Sequence, residues 1–415
     1  MNISKNKKIN LFIIILINTY LLNIYSKEIL INSEENKKKN DSSILNKIDN
    51  KINETISIAN KNLNIDKKEE IKDLNKKLEK PYILKTIICD YFVEYEVIDE
   101  LLKSFALERL KFIDQGGPLF YFEKAPNFQR FEHSIAVMAL IKKFNGSLME
   151  QIVCLLHDVS HTVFSHLAEN LFNNDDHEKG YQDKIHLIFL EKSGTFKILE
   201  KYGIELKDLD PDCGKYNMLE KALPEMCADR IEYNLHTGVL YNIISKNDLD
   251  LILNDLKYEN NKWFFTTPDI AKKFATLSLY FTKEIWASDW NSIFYKFFVE
   301  ALKRAIDLKC LNFDIIHYGK DIDVINILKN QNDAYIQYIF DCCEDIKKTY
   351  KISDEKDYDF FIQNKFRGID PSIKIKDNFK FLTEIDENYK EIYENVKKDC
   401  KNGFYIKLIK PIYLK

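Results

Sequence analysis

The sequence predicts a mainly α-helical protein with a small mixed α/β appendage at its carboxy-terminal end. Of its 415 residues, 45% are hydrophobic and 30% are charged, with only 11 glycines and 8 prolines, a composition typical of helix-rich globular chains. Apolar residues recur at helical spacing from Ile135 to Ile141, from Ile152 to Val159 and from Trp290 to Leu308. The stretch that begins at Gly403 instead indicates a final strand, which places the mixed part last.

Three of the chain's eight histidines fall within the twelve residues from Leu155 to His166. Asp158 follows His157 directly, and His161 lies one helical turn after His157. Imidazole and carboxylate groups at this density indicate a metal site. Because adjacent side chains on a helix point about 100° apart, the His-Asp pair cannot complete a coordination sphere, and further ligands must come from other segments.

Two other helical stretches offer the missing ligands. His133 stands at the start of one apolar run, and Asp229 stands in another helical pattern downstream. Taken alone, His133 could be a helix-start residue bonded to the backbone, and Asp229 a surface charge or a capping group. Together with His157 and Asp158 they predict a mononuclear or loosely dinuclear His2Asp2 centre. It would hold one divalent transition metal ion, Mn, Fe, Co, Ni or Zn, which Mg could accompany.

A histidine, a His-Asp pair and a later aspartate follow one another in this chain. With this order of residues, the segment from about Pro81 to about Leu240 resembles the HD-domain metal-dependent phosphohydrolase superfamily. The residues that carry the resemblance are Arg130 before the first histidine, His157-Asp158-x-x-His161, Phe164-Ser165-His166, His177-Glu178 and Asp229-x-x-Glu232-Tyr233. The resemblance implies an HD-domain helical bundle. It also implies hydrolysis of a nucleotide or small phosphoester through a metal-activated water.

Within the superfamily, the motif is similar to the nucleotidase and deoxynucleotide triphosphohydrolase branch. The chain lacks the acidic pair that guanosine-tetraphosphate hydrolases carry after the spacer, and it lacks the Gly-Tyr-Pro signature of cyclic-dinucleotide phosphodiesterases. The similarity weakens after Asp229, where this branch has an Arg-Asp pair and the chain has His236-Thr237. This departure puts deoxynucleoside triphosphate specificity in doubt.

The resemblance assigns further roles around the metal. The expected ligands are His133, His157, Asp158 and Asp229. His161 and His177 are expected to handle protons at the reacting phosphate, with Glu178 orienting His177. Substrate contacts are expected from Arg130, Gln115, His166 and Tyr233.

Some of these residues have ordinary alternatives. Arg130 could cap a helix or form a salt bridge instead of contacting phosphate. Gln115 could belong to a helix C-terminus capped by Gly116 or Gly117. His186 could be an outer-shell residue or an ordinary histidine on a helix face.

Four segments are predicted along the chain. They are residues 1–26 as a signal peptide or membrane anchor, 27–80 as a polar low-complexity linker that is partly helical from Glu69, 81–305 as the HD phosphohydrolase domain, and 306–415 as a helical and mixed C-terminal region. The apolar run from Ile9 to Tyr25 follows three lysines and predicts the secretory pathway or a membrane anchor, with a cytoplasmic location as the alternative. The eight cysteines show no CxxC spacing and demand no oxidised framework, which does not favour export.

The formal net charge of −4 gives no general attraction to nucleic acid. The expected partner is a small phosphorylated substrate, a nucleotide above all, and contact with a membrane is expected only through the N-terminal segment. Since members of the superfamily are often oligomers, the resemblance also allows a homo-oligomer. The alternatives to an enzyme are a catalytically silent nucleotide sensor and a structural protein stabilised by its histidines. Lys365, Arg367 and Lys374 could form a basic pocket for an anion or simply be exposed charges.

Overall fold

A computed structural model describes residues 71–172 and 180–409. The predicted signal peptide or anchor, most of the predicted linker, and the pair His177 and Glu178 lie outside the described residues. Within the described part of the chain, no helix is both long and apolar enough to cross a membrane.

Helices dominate the described chain, which confirms the mainly α prediction. The α-helices in chain order are α1 Glu96–Leu102, α2 Phe105–Leu110, α3 Arg130–Lys143, α4 Leu148–Leu156, α5 Leu167–Leu171, α6 Tyr181–Lys192, α7 Phe196–Glu200, α8 Ala228–Leu240, α9 Lys246–Asp255, α10 Pro268–Phe281, α11 Asp289–Asp307, α12 Phe313–Tyr318, α13 Asp321–Lys329, α14 Ala334–Glu344 and α15 Glu387–Asn402. Shorter 3₁₀ turns occupy Gly117–Phe122, Leu206–Leu209, Ile346–Lys348 and Leu382–Glu384, and a π-helical turn at Thr282–Trp286 follows α10.

The strands form three small sheets. They are β1 Lys77–Leu84, β2 Tyr91–Tyr95, β3 Leu256–Glu259, β4 Lys262–Phe265, β5 Tyr350–Ser353, β6 Phe360–Ile362, β7 Ser372–Ile375, β8 Asn378–Phe381 and β9 Phe404–Leu408. β1 pairs antiparallel with β2, the order β3-β4-β7-β8 makes a second sheet, and β5-β9-β6 makes a third. The predicted final strand is therefore present as β9, in the centre of its sheet.

Two details of the predicted organisation differ from the structure. The linker was expected to be helical from Glu69, but Lys77–Leu84 is a strand because its backbone pairs with β2, from Leu84 opposite Tyr91 to Lys77 opposite Tyr95. The expected boundary between residues 80 and 81 thus falls inside a strand, and the one between 305 and 306 falls inside α11. The described residues belong to one compact unit that begins at Ile71.

The helices that carry the histidines start where local hydrogen bonds favour them. The backbone N–H of Gln129 donates to the Glu132 carboxylate at 3.2 Å, which closes a capping box at the start of α3. The Ser147 hydroxyl accepts from the Glu150 amide at 3.1 Å and caps α4. Helix α3 packs against α4 and α8, and their buried faces form part of a continuous apolar core. This packing brings the three motif segments together.

The C-terminal region holds two loops beside this packing. The carboxylate of Asp321, which is fully buried, accepts hydrogen bonds from the amides of Asp114 at 2.8 Å and Phe164 at 2.7 Å. Arg109 also links the C-terminal region to the loop at His161. It donates hydrogen bonds to the Gly319 carbonyl at 2.9 Å and to the His161 carbonyl at 2.8 Å. The loop that precedes α3 and the loop that follows His161 are therefore both fixed from the start of α13.

We expect Asp321→Asn to destabilise the protein. The amide nitrogen of the new side chain would face a backbone N–H group, so one buried donor would lose its acceptor at a cost of about 1–3 kcal/mol. Urea unfolding of the full chain measures the change. Asp323→Asn, an exposed position on the same helix, is the matched control and should leave the unfolding midpoint in place. Equal midpoints for both variants would contradict the role given to Asp321.

Candidate metal centre

The four residues to which the sequence assigns a metal come from three segments. His133 lies in the first turn of α3, His157 and Asp158 directly follow the last residue of α4, and Asp229 lies in the first turn of α8. His133 is fully buried and Asp158 nearly so, whereas the Asp229 side chain keeps 21% of its surface exposed. The group is therefore enclosed by protein on most sides.

The side chains of these four residues lie close together. The Nε2 atom of His133 is 3.0 Å from Oδ1 of Asp229 and 3.6 Å from Oδ2 of Asp158. The Nε2 atom of His157 is 3.7 Å from Oδ1 of Asp229 and 3.5 Å from Oδ1 of Asp158. Ligand atoms of His133, His157 and Asp158 all lie within 4.8 Å of one another, which suits a shared cation.

The hydrogen bonds of the two imidazoles decide which ring nitrogen faces the group. Nδ1 of His157 lies 2.6 Å from the Cys154 carbonyl oxygen, and because a carbonyl only accepts, this nitrogen carries the proton. Nδ1 of His133 contacts the carboxylate of Glu232 and by the same argument donates to it. Neither Nε2 atom makes a hydrogen bond within the described chain, although both are buried.

Two imidazole lone pairs therefore point at two carboxylates. Acceptors that face acceptors repel one another unless a cation lies between them. A divalent metal ion fits this donor set, since neutral imidazole nitrogen and carboxylate oxygen are the ligands that Mn, Fe, Co, Ni and Zn take in proteins. His133, His157, Asp158 and Asp229 would hold it.

The same arrangement attracts a proton when no metal is bound. Burial lowers the pKa of His133, but the carboxylates of Glu232, Asp229 and Asp158 outweigh burial and raise it to about 10. The neighbouring cations hold the pKa of Asp158 well below its usual range, against the opposing effect of its burial. Proton and metal would thus compete for Nε2 of His133.

This competition gives a pH dependence for the metal-free protein. Since the folded-state pKa of His133 is raised, to about 10, above an unfolded value of 6.5, its contribution to stability is complete below pH 6.5. It is lost as the pH rises through the folded-state pKa. We expect the urea midpoint of chelator-treated protein to fall from pH 6.5 to 10 more steeply than that of His133→Gln. Parallel profiles for the two proteins would contradict this assignment.

Glu232 and His236 are functional candidates to which the sequence gave no role. Glu232 is fully buried; one carboxylate oxygen contacts Nδ1 of His133, and the other lies 2.7 Å from Nδ1 of His236. The His236 ring in turn packs on Phe128 at a centroid distance of 3.9 Å. The available signal was helical spacing, because Glu232 follows Asp229 by three residues and shares its face of α8. His236 was noted in the sequence only because it stands where the resembling branch has an Arg-Asp pair. In the structure it contacts the Glu232 carboxylate and so helps to hold it.

We expect Glu232→Gln to weaken metal binding by about 10–100-fold, as changes in the partners of ligating histidines do. The amide can still accept from Nδ1 of His133 but no longer raises the basicity of the ring. Metal affinity measured by competition with a chelator tests this. Glu191→Gln, at an exposed position on α6, is the matched control. An affinity equal to that of the unsubstituted chain would show that Glu232 only fills space.

Arg130 is committed to Asp158. Its Nη1 donates to Oδ2 of Asp158 at 2.5 Å and its Nε donates to the Ser165 hydroxyl at 2.7 Å, with 1% of the residue exposed. The Ser165 hydroxyl in turn donates to the Asp114 carbonyl at 2.5 Å. The sequence left open whether Arg130 contacts phosphate or instead caps a helix or forms a salt bridge. In the structure, Arg130 forms a salt bridge with Asp158.

His161 also lies against Asp158. Its Nε2 is 3.3 Å from Oδ1 of Asp158, and its buried Nδ1 has no hydrogen-bond partner among the described residues. Burial, aided by Arg130, lowers the pKa of His161 to about 3, so its ring is neutral. His161 is 2% exposed, and its ring meets that of His166 edge-on at 5.0 Å.

The other predicted substrate contacts, Gln115, His166 and Tyr233, all line one cleft. A cavity of about 690 Å³ is lined by Gln115, His166 and Tyr233 together with residues of α11 and of the C-terminal segment 361–367. Helix α2 ends at Leu110, so Gly116 and Gly117 do not cap it, and the alternative for Gln115 is wrong. His186 is buried away from solvent, between the Ser160 hydroxyl and the Leu209 carbonyl, both at 3.2 Å.

A second group of candidate ligands shares Asp229. Ligand atoms of Glu220, Cys227 and Asp229 lie within 4.8 Å of one another, and the Cys227 sulfur is 3.8 Å from Oε2 of Glu220. The sequence analysis gave neither Glu220 nor Cys227 a role in metal binding. The two groups meet at the carboxylate of Asp229, and the ligands of the second group come from the start of α8 and the loop before it.

Comparison with known proteins gives relatives of two kinds. No family model matches the sequence. The chain is 33% identical over 315 residues to the uncharacterized protein YdhJ of Bacillus subtilis, a match that covers 76% of this chain and 95% of that protein. It is 29% identical over 171 residues to the metal-dependent phosphohydrolase cns2 of Cordyceps militaris, covering 41% of this chain and 49% of that protein.

Solved structures share the fold at lower identity. A phosphohydrolase from Bacteroides thetaiotaomicron matches with a TM-score of 0.60 over 80% of this chain and 100% of that chain, at 14% identity. A hypothetical protein from Aquifex aeolicus matches with a TM-score of 0.58 over 77% of this chain and 99% of that chain, at 16% identity. In both, the shared fold extends over almost the whole of the solved chain.

Proposed function

The chain belongs to the same family as the Bacillus subtilis protein YdhJ, and we propose that it is a metal-dependent phosphohydrolase of the HD type that hydrolyses a nucleotide or another small phosphoester. The observation that carries the proposal is the pair of imidazole lone pairs, on His133 and His157, that face Asp158 and Asp229 beside a cleft. The similarity to a metal-dependent phosphohydrolase of Cordyceps militaris supports the same class of reaction.

A divalent ion at this centre would lower the pKa of a bound water toward about 7 and neutralise phosphoryl oxygens. The protein's own part is to hold the ligands in one orientation. Arg130, which Ser165 holds in turn, fixes Asp158. Glu232 and the Cys154 carbonyl fix the tautomers of His133 and His157. With these groups fixed before substrate binds, the protein need not reorganise as charge develops.

Substrate would enter through the cleft that contains Gln115, His166 and Tyr233. Of the histidines beside the centre, His166 is the more exposed, with 37% of its side chain accessible, and Glu169 lies 3.2 Å from its Nδ1. Tyr233 meets Trp286 edge-on at 5.2 Å, which gives the cleft an aromatic wall. Proton transfer by His161, and by His177 with Glu178, is part of the same proposal.

The test is an assay of the full chain after chelator treatment and reloading with Mn²⁺, Co²⁺, Ni²⁺, Zn²⁺, Fe²⁺ or Mg²⁺. The substrates are p-nitrophenyl phosphate, bis-p-nitrophenyl phosphate and a panel of nucleotides. We expect turnover of at least one substrate that requires one of the first five ions. Nucleotide binding without turnover under every condition would overturn the enzyme in favour of a sensor, and an unmetallated native protein would overturn the metal centre.

A further inference from the structure

One wall of the cleft carries cations that form no direct ion pair within the described residues. Lys296 of α11 and Lys365 and Arg367 of the segment that follows β6 all line it. Within residues 71–172 and 180–409, no carboxylate lies within 4.0 Å of these three cations. Among the residues that line the cleft, four lysine and arginine side chains face two carboxylates, Glu169, which lies 3.2 Å from His166, and Glu300, which pairs with Lys303 at 3.0 Å. The cleft therefore has unbalanced positive charge.

The chain around these cations is held in place. The Asn364 amide donates to the Ala287 carbonyl at 2.8 Å, and the Ser292 hydroxyl donates to Oδ1 of Asn364 at 2.9 Å. The carbonyl of Arg367 accepts from the Ser278 hydroxyl at 3.3 Å. The segment is thus tied to α10, to the turn before α11 and to α11 itself, so its cations are positioned before any ligand arrives.

Lys296 and Arg367 interact with other groups near the cleft. The ammonium group of Lys296 lies 4.9 Å from the centroid of the Phe360 ring. Burial lowers the pKa of Lys296. Burial raises the pKa of Glu169, but His166, whose Nδ1 lies 3.2 Å away, and the positive charge of Arg367 lower it. The same charge opposes the rise in the pKa of Tyr233 that burial causes. An anion bound here would supply the counterion that these partly buried cations lack.

The sequence suggested a basic pocket formed by Lys365, Arg367 and Lys374, and Lys374 differs from the other two residues. It forms an ion pair with Glu259 at 2.8 Å, on the sheet that contains β3 and β7, and it does not line the cleft. The trio is therefore split, with two members at the cleft and one neutralised at the surface. Lys374 provides a matched control for the other two.

We propose that Lys296, Lys365 and Arg367 form an anion subsite that binds a second phosphate group of the substrate, apart from the phosphate that lies at the metal centre. This inference rests on the proposed function and narrows its substrate class to phosphoesters that carry two or more phosphate groups. Guanidinium and ammonium groups are the usual ligands for phosphate oxygens, and Arg367 can bind two of them at once.

Calorimetry of the full chain with AMP, ADP and adenosine 3′,5′-bisphosphate tests the subsite. We expect the unsubstituted chain to bind at least one of the two compounds with two phosphates about tenfold more tightly than AMP. Comparing ADP with the 3′,5′-bisphosphate shows whether the two phosphates must be joined or separated. The protein is first treated with chelator, so that metal-dependent turnover does not occur and the result stands apart from the assay for hydrolysis.

Arg367→Gln and Lys296→Gln should each remove most of this preference, and should weaken binding of the two-phosphate compound more than binding of AMP. Lys374→Gln should leave all three affinities unchanged. Urea midpoints equal to that of the unsubstituted chain exclude misfolding, and Lys365→Gln, at an exposed position, provides a further variant that carries little risk for folding. The subsite is overturned if the second phosphate adds no affinity, or if the variants weaken binding of AMP and of the two-phosphate compound equally.

Discussion

Asp229→Asn is expected to abolish metal retention and to lower metal-dependent turnover by a factor on the order of 10³. Asp229 is the carboxylate that both imidazole Nε2 atoms face, at 3.0 Å and 3.7 Å. Asparagine keeps the size of the side chain but removes the negative charge, and its amide nitrogen could donate to one of the lone pairs and so occupy it. Elemental analysis of protein purified without a histidine tag measures the metal, and the substrate panel measures turnover.

The control for this substitution is Asp250→Asn. Asp250 forms an exposed ion pair with Lys246 on α9, and its loss should change neither metal content nor turnover. A normal metal content in Asp229→Asn would contradict the ligand set. Normal metal content combined with lost turnover would instead move Asp229 from metal binding to the chemistry.

The convergence of the four side chains could be predicted because each belongs to a short pattern visible in the sequence. His157 and Asp158 are adjacent, and His133 and Asp229 each stand near the start of a helix whose apolar face must be buried. Other helices also begin with acidic residues, and it is the resemblance to the HD superfamily that selects His133 and Asp229 among them. Local patterns, read together with this resemblance, therefore suffice to propose the site.

The partners of the ligands could not be predicted in this way. Helical spacing places Glu232 on the same face of α8 as Asp229, but it does not specify the contact with His133, which lies 99 positions away in the sequence. Asp321 holds the amides of Asp114, 207 positions away, and Phe164, 157 positions away. These contacts depend on the relative placement of separated elements, which tertiary packing decides.

The error at the N-terminal strand has a similar origin. The stretch from Lys77 to Leu84 contains two lysines and a glutamate, a composition that disfavours strands when it is considered locally. Its backbone nevertheless pairs with β2, where Val93 and Tyr91 are fully buried, and exposed Lys77 pairs with Glu94 at 3.0 Å. Pairing with a half-buried neighbour outweighs the local preference.

Arg130→Met is expected to destabilise the metal-free protein by about 3–5 kcal/mol, because it leaves the carboxylate of Asp158 buried without its cation. The guanidinium is buried and donates to Asp158 at 2.5 Å and to Ser165 at 2.7 Å, so its loss breaks two contacts at once. Urea unfolding after chelator treatment measures the effect. Added metal should restore part of the stability, since it supplies a cation to Asp158 and binds only the folded chain.

Arg304→Met is the matched control, because Arg304 also pairs with an aspartate, Asp333, at 2.6 Å but keeps 39% of its side chain exposed. An exposed pair of this kind contributes about 0–1 kcal/mol. The double substitution Arg130→Met with Asp158→Leu removes both buried charges and should regain stability relative to Arg130→Met alone, while remaining inactive. If Arg130→Met instead unfolds at the same urea concentration as the unsubstituted chain, the ion pair with Asp158 is not what keeps Arg130 buried. The phosphate contact inferred from the sequence would then be the better account of this residue.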